Sequence, residues 1–514
     1  MAEIKELTPQ RQELLVADGN LLILGGPGAG KTTIALLKAD VEARPGKLKR
    51  GQKILFLSFA RATIARVAQH AGNLISKETK AVLEINTYHG FIWRLLRSHS
   101  YLLCGGGRIE LLPPPQAAAR LADVTGEQAR DAEKQRLFEQ EGLLHFDLFA
   151  SAAFELLSGS QALRRIICDA YPIIILDEFQ DTNAPEWAFI KTMGTSSRLI
   201  ALADAEQRIY EFRGADPKRI AEFTKAFGPT IYDFGAENYR SNGKDIAVFG
   251  NELLSGANIG KVFNDVTVQR YGFYQGRNAL FQLKAVVLSR AKGLHKANPG
   301  TWSLALLVPT KKLMLQASDY LASDLDRLPD LRHDVALDTE APALAANVIS
   351  ALLEGGVTAA DIAQRLIANL CQHIRGRRGN ASTPQGELEL VGALGDFLQS
   401  GRIRGKKRAR IVEGATRIAN ARFDMALAGD PEADWLAMRR LLGDSGIAEY
   451  QQVAEDARYL RLLHRGATLR SRLGELWRLN GQYKEASVAV HDALLQEHFS
   501  TSLRDWRGIH VMTI

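Results

Sequence analysis

The stretch that decides the fold is "NLLILGGPGAGKTTIALLKA", which runs from Asn20 to Ala39. The apolar residues Leu21 to Leu24 predict a strand, a glycine-rich loop follows, and a helix is predicted to open at about Thr33. The loop has the spacing G-x-x-x-x-G-K-[ST], in which backbone N–H groups surround phosphates and the following helix adds the positive end of its dipole. The stretch therefore predicts a nucleotide-phosphate site in an α/β fold.

Individual residues of this loop have separate expected roles. Lys31 should reach the β/γ-phosphates, and the Thr32 hydroxyl should ligate Mg²⁺. A glycine-rich turn without a ligand is the alternative, and the strand before it and the helix after it argue against that reading. The residues predicted to contact the nucleotide here are Gly25, Gly26, Pro27, Gly28, Ala29, Gly30, Lys31, Thr32 and Thr33.

A second stretch, "YPIIILDEFQDTN" at 171–183, carries two carboxylates. A buried strand, Ile173 to Leu176, is predicted to deliver Asp177 and Glu178 at its carboxyl end, where open α/β sheets bind their ligands. Asp177 is expected to hold Mg²⁺, and Glu178 to polarise the attacking water. Alone, the pair is equally compatible with a solvated turn. Together with the upstream loop it predicts a nucleoside triphosphatase.

Composition sets broad limits on the chain. A chain of 514 residues implies three or four structural units, and 46% hydrophobic and 24% charged residues are ordinary for a globular protein. The charge of +7 weakly favours a polyanionic partner. Three cysteines without metal or disulfide spacing agree with a reducing compartment. Without an apolar leader or a long apolar run, we expect a cytoplasmic protein with no membrane partner.

Further blocks, taken in order, resemble the UvrD/Rep/PcrA helicases of superfamily 1 from about residue 7 to the last residue. In "LTPQRQ", Gln10 lies where the family reads adenine, with Gln12 as a rival. "ILFLSFARATIARV" resembles motif Ia, which implies that Phe59 stacks on a base. "INTYHGFIWRLL" resembles motif Ib, which implies that Thr87 and His89 touch the DNA backbone.

Two more blocks resemble motifs III and IV, "LADAEQRIYEFRGADP" and "ENYRS". Gln207 follows a predicted strand next to that of Asp177, so its amide is expected to sense the γ-phosphate. Tyr239 is expected to stack on adenine, and Arg240 to reach the γ-phosphate across a cleft, unless it forms only a surface ion pair. Stacking on an aromatic face contributes about 1–3 kcal/mol per base. The residues expected to bind DNA in motif III are Tyr210, Phe212 and Arg213, the alternative being a packed aromatic pair.

Departures from the family pattern indicate a divergent branch. Motif III opens Ala203-Asp204 where the family usually has Gly-Asp, and Phe212 replaces the common Trp. The final "GIHVMTI" at 508–514 predicts a strand, and the resemblance places motif V directly after it. We therefore expect a chain truncated before motif V, with an incomplete second domain and weakened turnover.

The predicted organisation is two RecA-like P-loop domains with doubly wound parallel sheets, each carrying a helical insertion. The ranges are 1–93 with 150–232 for the first domain, 94–149 for its insertion, 233–340 with 506–514 for the second domain, and 341–505 for the second insertion. A new unit is expected to begin near Thr230. A tetratricopeptide-like hairpin at 470–495 is either part of the helical bundle or a protein-docking surface. The basic segment, "RIRGKKRAR" at 402–410, is either a solvated loop or a phosphate contact.

The leading hypothesis is an ATP-dependent 3′-to-5′ DNA helicase that uses ATP and Mg²⁺ on single-stranded or 3′-tailed duplex DNA. The alternative is a DNA- or nucleotide-sensing ATPase subunit of a larger complex, such as a phage-defence system, with a protein partner docked on the second insertion. A non-catalytic binding remnant is a third possibility. Repair, replication and defence are the pathways compatible with such a protein.

Overall fold

The protein is described from a computed structural model of the 514-residue chain. The described residues are 7–59, 64, 67–68, 71–72, 74–103, 107, 109–204, 216, 218–235, 239, 244–269, 279–323, 327–335, 340–379, 381–457, 468–499 and 507–513. No helix within these ranges is both long enough and apolar enough to cross a membrane.

The first unit is built on a six-stranded parallel sheet with the strand order β3-β2-β6-β7-β1-β8. Its central strands are continuous apolar runs such as LLIL and IIIL, as expected for a parallel sheet buried on both faces. Alternate residues enter different cores, so that Leu22 faces one side of the sheet while Leu21 and Ile23 face the other. The strands are β1 (Leu21–Leu24), β2 (Ile54–Ser58), β3 (Leu83–Thr87), β6 (Ile173–Leu176), β7 (Arg198–Ala203) and β8 (Thr230–Asp233).

The strand at Thr230 corrects one expectation. We expected a new unit to begin there, but β8 pairs in parallel with β1, with Leu24 opposite Asp233. The pairing requires only backbone groups, and three of the four β8 residues are exposed, so the sequence carries no burial signal for this edge strand. The first sheet therefore extends to Asp233.

Helices cover both faces of this sheet, as the doubly wound prediction requires. The helix after the glycine-rich loop begins at Lys31, two residues earlier than predicted, because the loop glycine at position 30 is its N-cap. The helices of this part are α1 (Pro9–Val16), α2 (Lys31–Glu42), α3 (Lys77–Val82), α4 (Tyr88–His99), α5 (Pro114–Arg120), α6 (Glu127–Glu141), α7 (Phe149–Gly159), α8 (Gln161–Ala170), α9 (Ala184–Met193) and α10 (Arg219–Phe227).

The first insertion is not purely helical, which is a second correction. Strands β4 (Glu110–Leu112) and β5 (Leu143–His145) form a small parallel pair beside α5 and α6. Each strand has three residues, too few for a periodic pattern to be visible in the sequence.

The second sheet is parallel, with the order β10-β11-β9. The strand predicted in the final segment 508–514 is confirmed over Gly508–Thr513, which lies at the centre of the sheet with Val511 fully buried. Its elements are α11 (Ile246–Ser255), α12 (Ala279–Ala297), β9 (Ser303–Val308), α13 (Lys311–Ala322), β10 (His333–Val335) and β11 (Gly508–Thr513).

A bundle of helices follows β10, where the sequence predicts a helical insertion at 341–505. The predicted hairpin is present as α20 and α21, and the Tyr483 hydroxyl donates to buried Asp434 at 2.7 Å. Since Tyr483 and Ala486 are fully buried, the inner face of the hairpin belongs to the bundle core. The helices are α14 (Glu340–Glu354), α15 (Ala359–Gly376), α16 (Gln385–Ser400), α17 (Lys406–Phe423), α18 (Pro431–Gly443), α19 (Ala448–Asp456), α20 (Thr468–Asn480) and α21 (Ala486–Phe499).

Candidate active site

The glycine-rich loop joins the buried strand β1 to the first turn of α2. Gly28 and Gly30 have φ angles of +83° and +82°, in the left-handed region that favours glycine. A side chain at Gly25 would approach the Phe234 Cβ to 3.2 Å, and the Gly26 N–H donates to the Gly235 carbonyl at 3.0 Å. The loop is thus folded back tightly on the end of β8.

The first turn of α2 presents a binding surface for anions. No side chain caps the helix at Gly30, and its first turn carries no acidic residue. The Lys31 ammonium donates to the carbonyls of Gly25 at 2.6 Å and Gly26 at 3.2 Å, so it spans the loop mouth. Thr32 and Thr33, both half-buried, follow it on the same turn. Free N–H groups, the helix dipole and an ammonium together favour a phosphate.

Two neighbouring strands place a buried carboxylate beside this loop. Asp177 follows β6, is 3% exposed, and accepts a hydrogen bond from the Ser58 hydroxyl at 3.2 Å. Burial, followed by the negative charge of Glu178, raises the pKa of Asp177 to about 7, and the Lys31 ammonium opposes that rise. A buried carboxylate and the Thr32 hydroxyl are oxygen donors of the kind that Mg²⁺ prefers. The chemistry of these donors fits a divalent cation.

Glu178 and Gln180 form a second polar pair at this edge. Glu178 has a φ of +51°, an uncommon conformation for a residue with a side chain. Gln180, 6% exposed, donates to the Glu178 carboxylate at 2.8 Å and accepts from the Asp204 backbone N–H at 3.1 Å. Gln180 stands only two positions after Glu178, but the sequence pattern alone predicts no role for it. The side chain ties the carboxyl ends of β6 and β7 together.

Arg11 is the other residue that the sequence did not single out. Its guanidinium donates to the Ala29 carbonyl at 2.8 Å, and its carbon lies 4.5 Å from the Phe234 ring centroid and 4.8 Å from that of Tyr239. Tyr239 is held to the loop by its backbone N–H, which donates to the Gly28 carbonyl at 2.9 Å. Arg11 therefore lies between two aromatic rings against the glycine-rich loop.

The glutamines at the start of α1 lie near this group. Gln10 donates to the Asp233 carbonyl at 3.2 Å, at the end of β8, while Gln12 donates back to Leu7 at 3.0 Å. Gln10 and Tyr239 thus both lie close to the glycine-rich loop. The expected roles of Gln207 and Arg240 concern residues outside the described ranges.

The residues expected to bind DNA lie at the ends of β2 and β3. The Phe59 ring stacks on that of Tyr88, with centroids 4.3 Å apart and planes 19° apart. Thr87, 6% exposed, caps α4 by accepting from the Gly90 N–H at 2.8 Å. The His89 ring lies 5.9 Å from that of Phe149. Tyr210, Phe212 and Arg213 lie outside the described ranges.

Comparison with known proteins agrees with this arrangement. Residues 7–122 and 118–228 match the UvrD/REP helicase N-terminal domain. The chain is 23% identical over 310 residues to ATP-dependent DNA helicase UvrD1 of Mycobacterium leprae, covering 49% of this chain and 39% of that protein. It is 25% identical over 296 residues to DNA helicase II of Escherichia coli, covering 48% and 40%.

A third relative is ATP-dependent DNA helicase PcrA of Staphylococcus aureus, which is 22% identical over 295 residues, with coverage of 48% of this chain and 39% of that protein. The chain therefore spans about two fifths of the length of the relatives that it matches. The matched region includes five of the six strands of the first sheet, all but β8, together with the glycine-rich loop and the buried carboxylate. Over residues 7–228, this chain is similar to the N-terminal domain of the UvrD/REP helicases.

Proposed function

We propose that this chain binds ATP with Mg²⁺ at the glycine-rich loop and couples hydrolysis to movement along single-stranded DNA. The single observation that carries the proposal is the buried Asp177, next to Glu178 and within electrostatic reach of Lys31. Burying a carboxylate is unfavourable without a compensating partner, and a phosphate-bound cation would supply one. Its neighbours match the parts of a phosphoryl-transfer site.

Each side chain of the site has a proposed task. Lys31 would exchange its loop carbonyls for the β/γ-phosphates, while Thr32 and Asp177 would hold Mg²⁺, which neutralises phosphate charge. Glu178 would orient the attacking water. Gln180 would hold the Glu178 carboxylate in place through its 2.8 Å hydrogen bond.

The remaining residues follow the family resemblance. Gln10 and Tyr239 would bind adenine, Gln207 would sense the γ-phosphate, and Arg240 would stabilise the charge of the transferring group. The proposed strand contacts are Phe59, Thr87, His89, Tyr210, Phe212 and Arg213.

Nucleotide binding and hydrolysis are tested with point variants. Lys31→Ala is expected to lose ATP binding, measured with a fluorescent analogue, because the ammonium that balances phosphate charge is gone. Glu178→Gln is expected to bind ATP–Mg²⁺ normally but to lose DNA-stimulated hydrolysis. Lys53→Ala, which removes an exposed lysine paired with Glu84, is the matched control and should behave as the parent. Parental ATP affinity in Lys31→Ala would refute the proposal.

Strand displacement tests the motor and its direction. We propose 3′-to-5′ movement, so a 3′-tailed duplex should be unwound and a 5′-tailed duplex should not. The competing function is a DNA- or nucleotide-sensing ATPase that docks a partner on the α20–α21 hairpin, where Leu479 and Val488 are exposed apolar residues. That function predicts DNA-stimulated hydrolysis without displacement of either duplex.

A further inference from the structure

Tyr88 connects the proposed DNA side of the first sheet to its carboxylate edge. It is the first residue of α4, directly after β3, and it is fully buried. Its ring stacks on Phe59 at a centroid distance of 4.3 Å. Phe59 follows Ser58, whose hydroxyl donates to Asp177. One strand end, Ser58–Phe59, therefore touches both the aromatic ring and the buried carboxylate.

The Tyr88 hydroxyl is unusual in its surroundings. It is buried, and within the described part of the chain no atom forms a hydrogen bond with it. Burial, and then the negative charges of Glu186 and Asp177, raise the pKa of Tyr88 well above its usual range, so the hydroxyl keeps its proton as a donor. Both carboxylates belong to fixed groups, since Glu186 forms the capping box of α9 and Asp177 ends β6.

A purely structural role does not account for this hydroxyl. Stacking on Phe59 needs only the ring, and a phenylalanine would supply it without burying an unsatisfied polar atom, which lowers stability. A buried polar group without a partner therefore calls for an explanation, and a functional role is one of those found in native proteins. The orphan hydroxyl is most simply explained if it gains its partner in another state of the protein.

We propose that Tyr88 is a positioning residue that couples DNA contact at Phe59 to Asp177. A base stacked on Phe59 shifts the Phe59–Tyr88 pair, and the Tyr88 hydroxyl then donates a hydrogen bond toward the Asp177 carboxylate. That bond sets the carboxylate in the orientation that supports hydrolysis, so ATP turnover rises when the strand is bound. This inference rests on the proposed DNA-stimulated ATPase.

The test is Tyr88→Phe in the full chain, which keeps the stacked ring and removes only the hydroxyl. Four quantities are measured: melting temperature without ligand, affinity for an ATP analogue with Mg²⁺, affinity for oligo(dT), and hydrolysis with and without oligo(dT). We expect a higher melting temperature, unchanged affinities and unchanged basal hydrolysis. Stimulation by oligo(dT) should fall about tenfold or more, the effect of losing one hydrogen bond to a charged group.

Tyr171→Phe is the matched control, because the Tyr171 hydroxyl already donates to Glu84 at 2.9 Å. It should lower the melting temperature and leave stimulation intact. Phe59→Ala should weaken oligo(dT) binding, which Tyr88→Phe should not. If oligo(dT) stimulates hydrolysis by the parent and by Tyr88→Phe equally, the coupling role alone is overturned. The same holds if Tyr88→Phe has a lower melting temperature than the parent. A parent without any DNA stimulation overturns the proposed function and the coupling role with it.

Discussion

Replacing Asp177 with asparagine should stabilise the metal-free protein while abolishing its proposed chemistry. The carboxylate is 3% exposed, and its hydrogen bond from Ser58 at 3.2 Å can be accepted equally by an amide oxygen. Asparagine therefore keeps the shape and the hydrogen bond but removes the buried charge. Glu178, whose charge repels that of Asp177, is left unchanged.

The magnitude follows from the pKa of Asp177. An acid whose pKa is raised in the folded state from 3.8 to about 7 binds its proton more tightly when folded, so it destabilises the fold increasingly as pH rises between these values. Above pH 7 the full effect applies, on the order of 4 kcal/mol. Since 1 kcal/mol shifts the melting temperature of a domain of about 150–250 residues by roughly 2–4 °C, we expect a melting temperature roughly 8–16 °C higher in Asp177→Asn at pH 8.

The assay is thermal unfolding in EDTA at pH 5 and pH 8, repeated with Mg²⁺ and an ATP analogue. The increase in melting temperature caused by Asp177→Asn should be smaller at pH 5, because the Asp177 carboxyl of the folded parent is neutral there. Mg²⁺ with the ATP analogue should raise the melting temperature of the parent but not that of the variant. Asp169→Asn, which changes an exposed aspartate in the last turn of α8, is the control and should show no gain. A variant that melts lower than the parent at pH 8 would refute the reasoning about the buried charge.

Three further predictions concern other parts of the chain. Arg11→Ala should lower the free energy of unfolding by about 1–2 kcal/mol, because the cation between Phe234 and Tyr239 contributes about 0.5–1 kcal/mol by each ring contact. It should also weaken binding of an ATP analogue, because Tyr239, proposed to bind adenine, loses a contact that holds its ring; equal affinity by titration would contradict it. Neutralising three cations of the basic segment 402–410 should make binding of single-stranded DNA less dependent on salt. The slope of log affinity against log salt concentration should become smaller in magnitude by about 2, because each phosphate contact contributes roughly 0.7. An unchanged slope would indicate that the segment is solvated. Gly90→Ala should unfold at lower temperature, since its new Cβ would lie 2.5 Å from the Asn86 side-chain oxygen, while Gly395→Ala, with open space around it, should melt slightly higher.

The parts of the site that sequence predicts are those whose chemistry is local. The strand, the glycine spacing and Lys31 are consecutive, so their relation is fixed by short-range geometry, and the same holds for Asp177 at the end of its apolar strand. Gln180 was missed because its role depends on the backbone of Asp204 on a neighbouring strand. Only the sheet order reveals that contact.

Arg11 illustrates a different limit. One partner, Ala29, lies nearby on the glycine-rich loop. The other two, Phe234 at the end of β8 and Tyr239, lie more than two hundred positions further along the chain. The family resemblance assigns adenine recognition to Gln10, its neighbour, and spacing along the chain does not say which further side chain at this helix start contacts the loop. The edge strand β8 escaped assignment to the first sheet for a related reason, since exposed side chains carry no pattern of burial.

The order β10-β11-β9 has a consequence for how the protein is made. β11 separates two strands that precede it by roughly 170 residues or more, so at about 5–20 residues per second a ribosome needs on the order of ten seconds or longer to supply it. During that time β9 and β10 expose unpaired backbone while the intervening helices can already fold. A nascent chain paused in this interval is the species that a chaperone would be expected to bind.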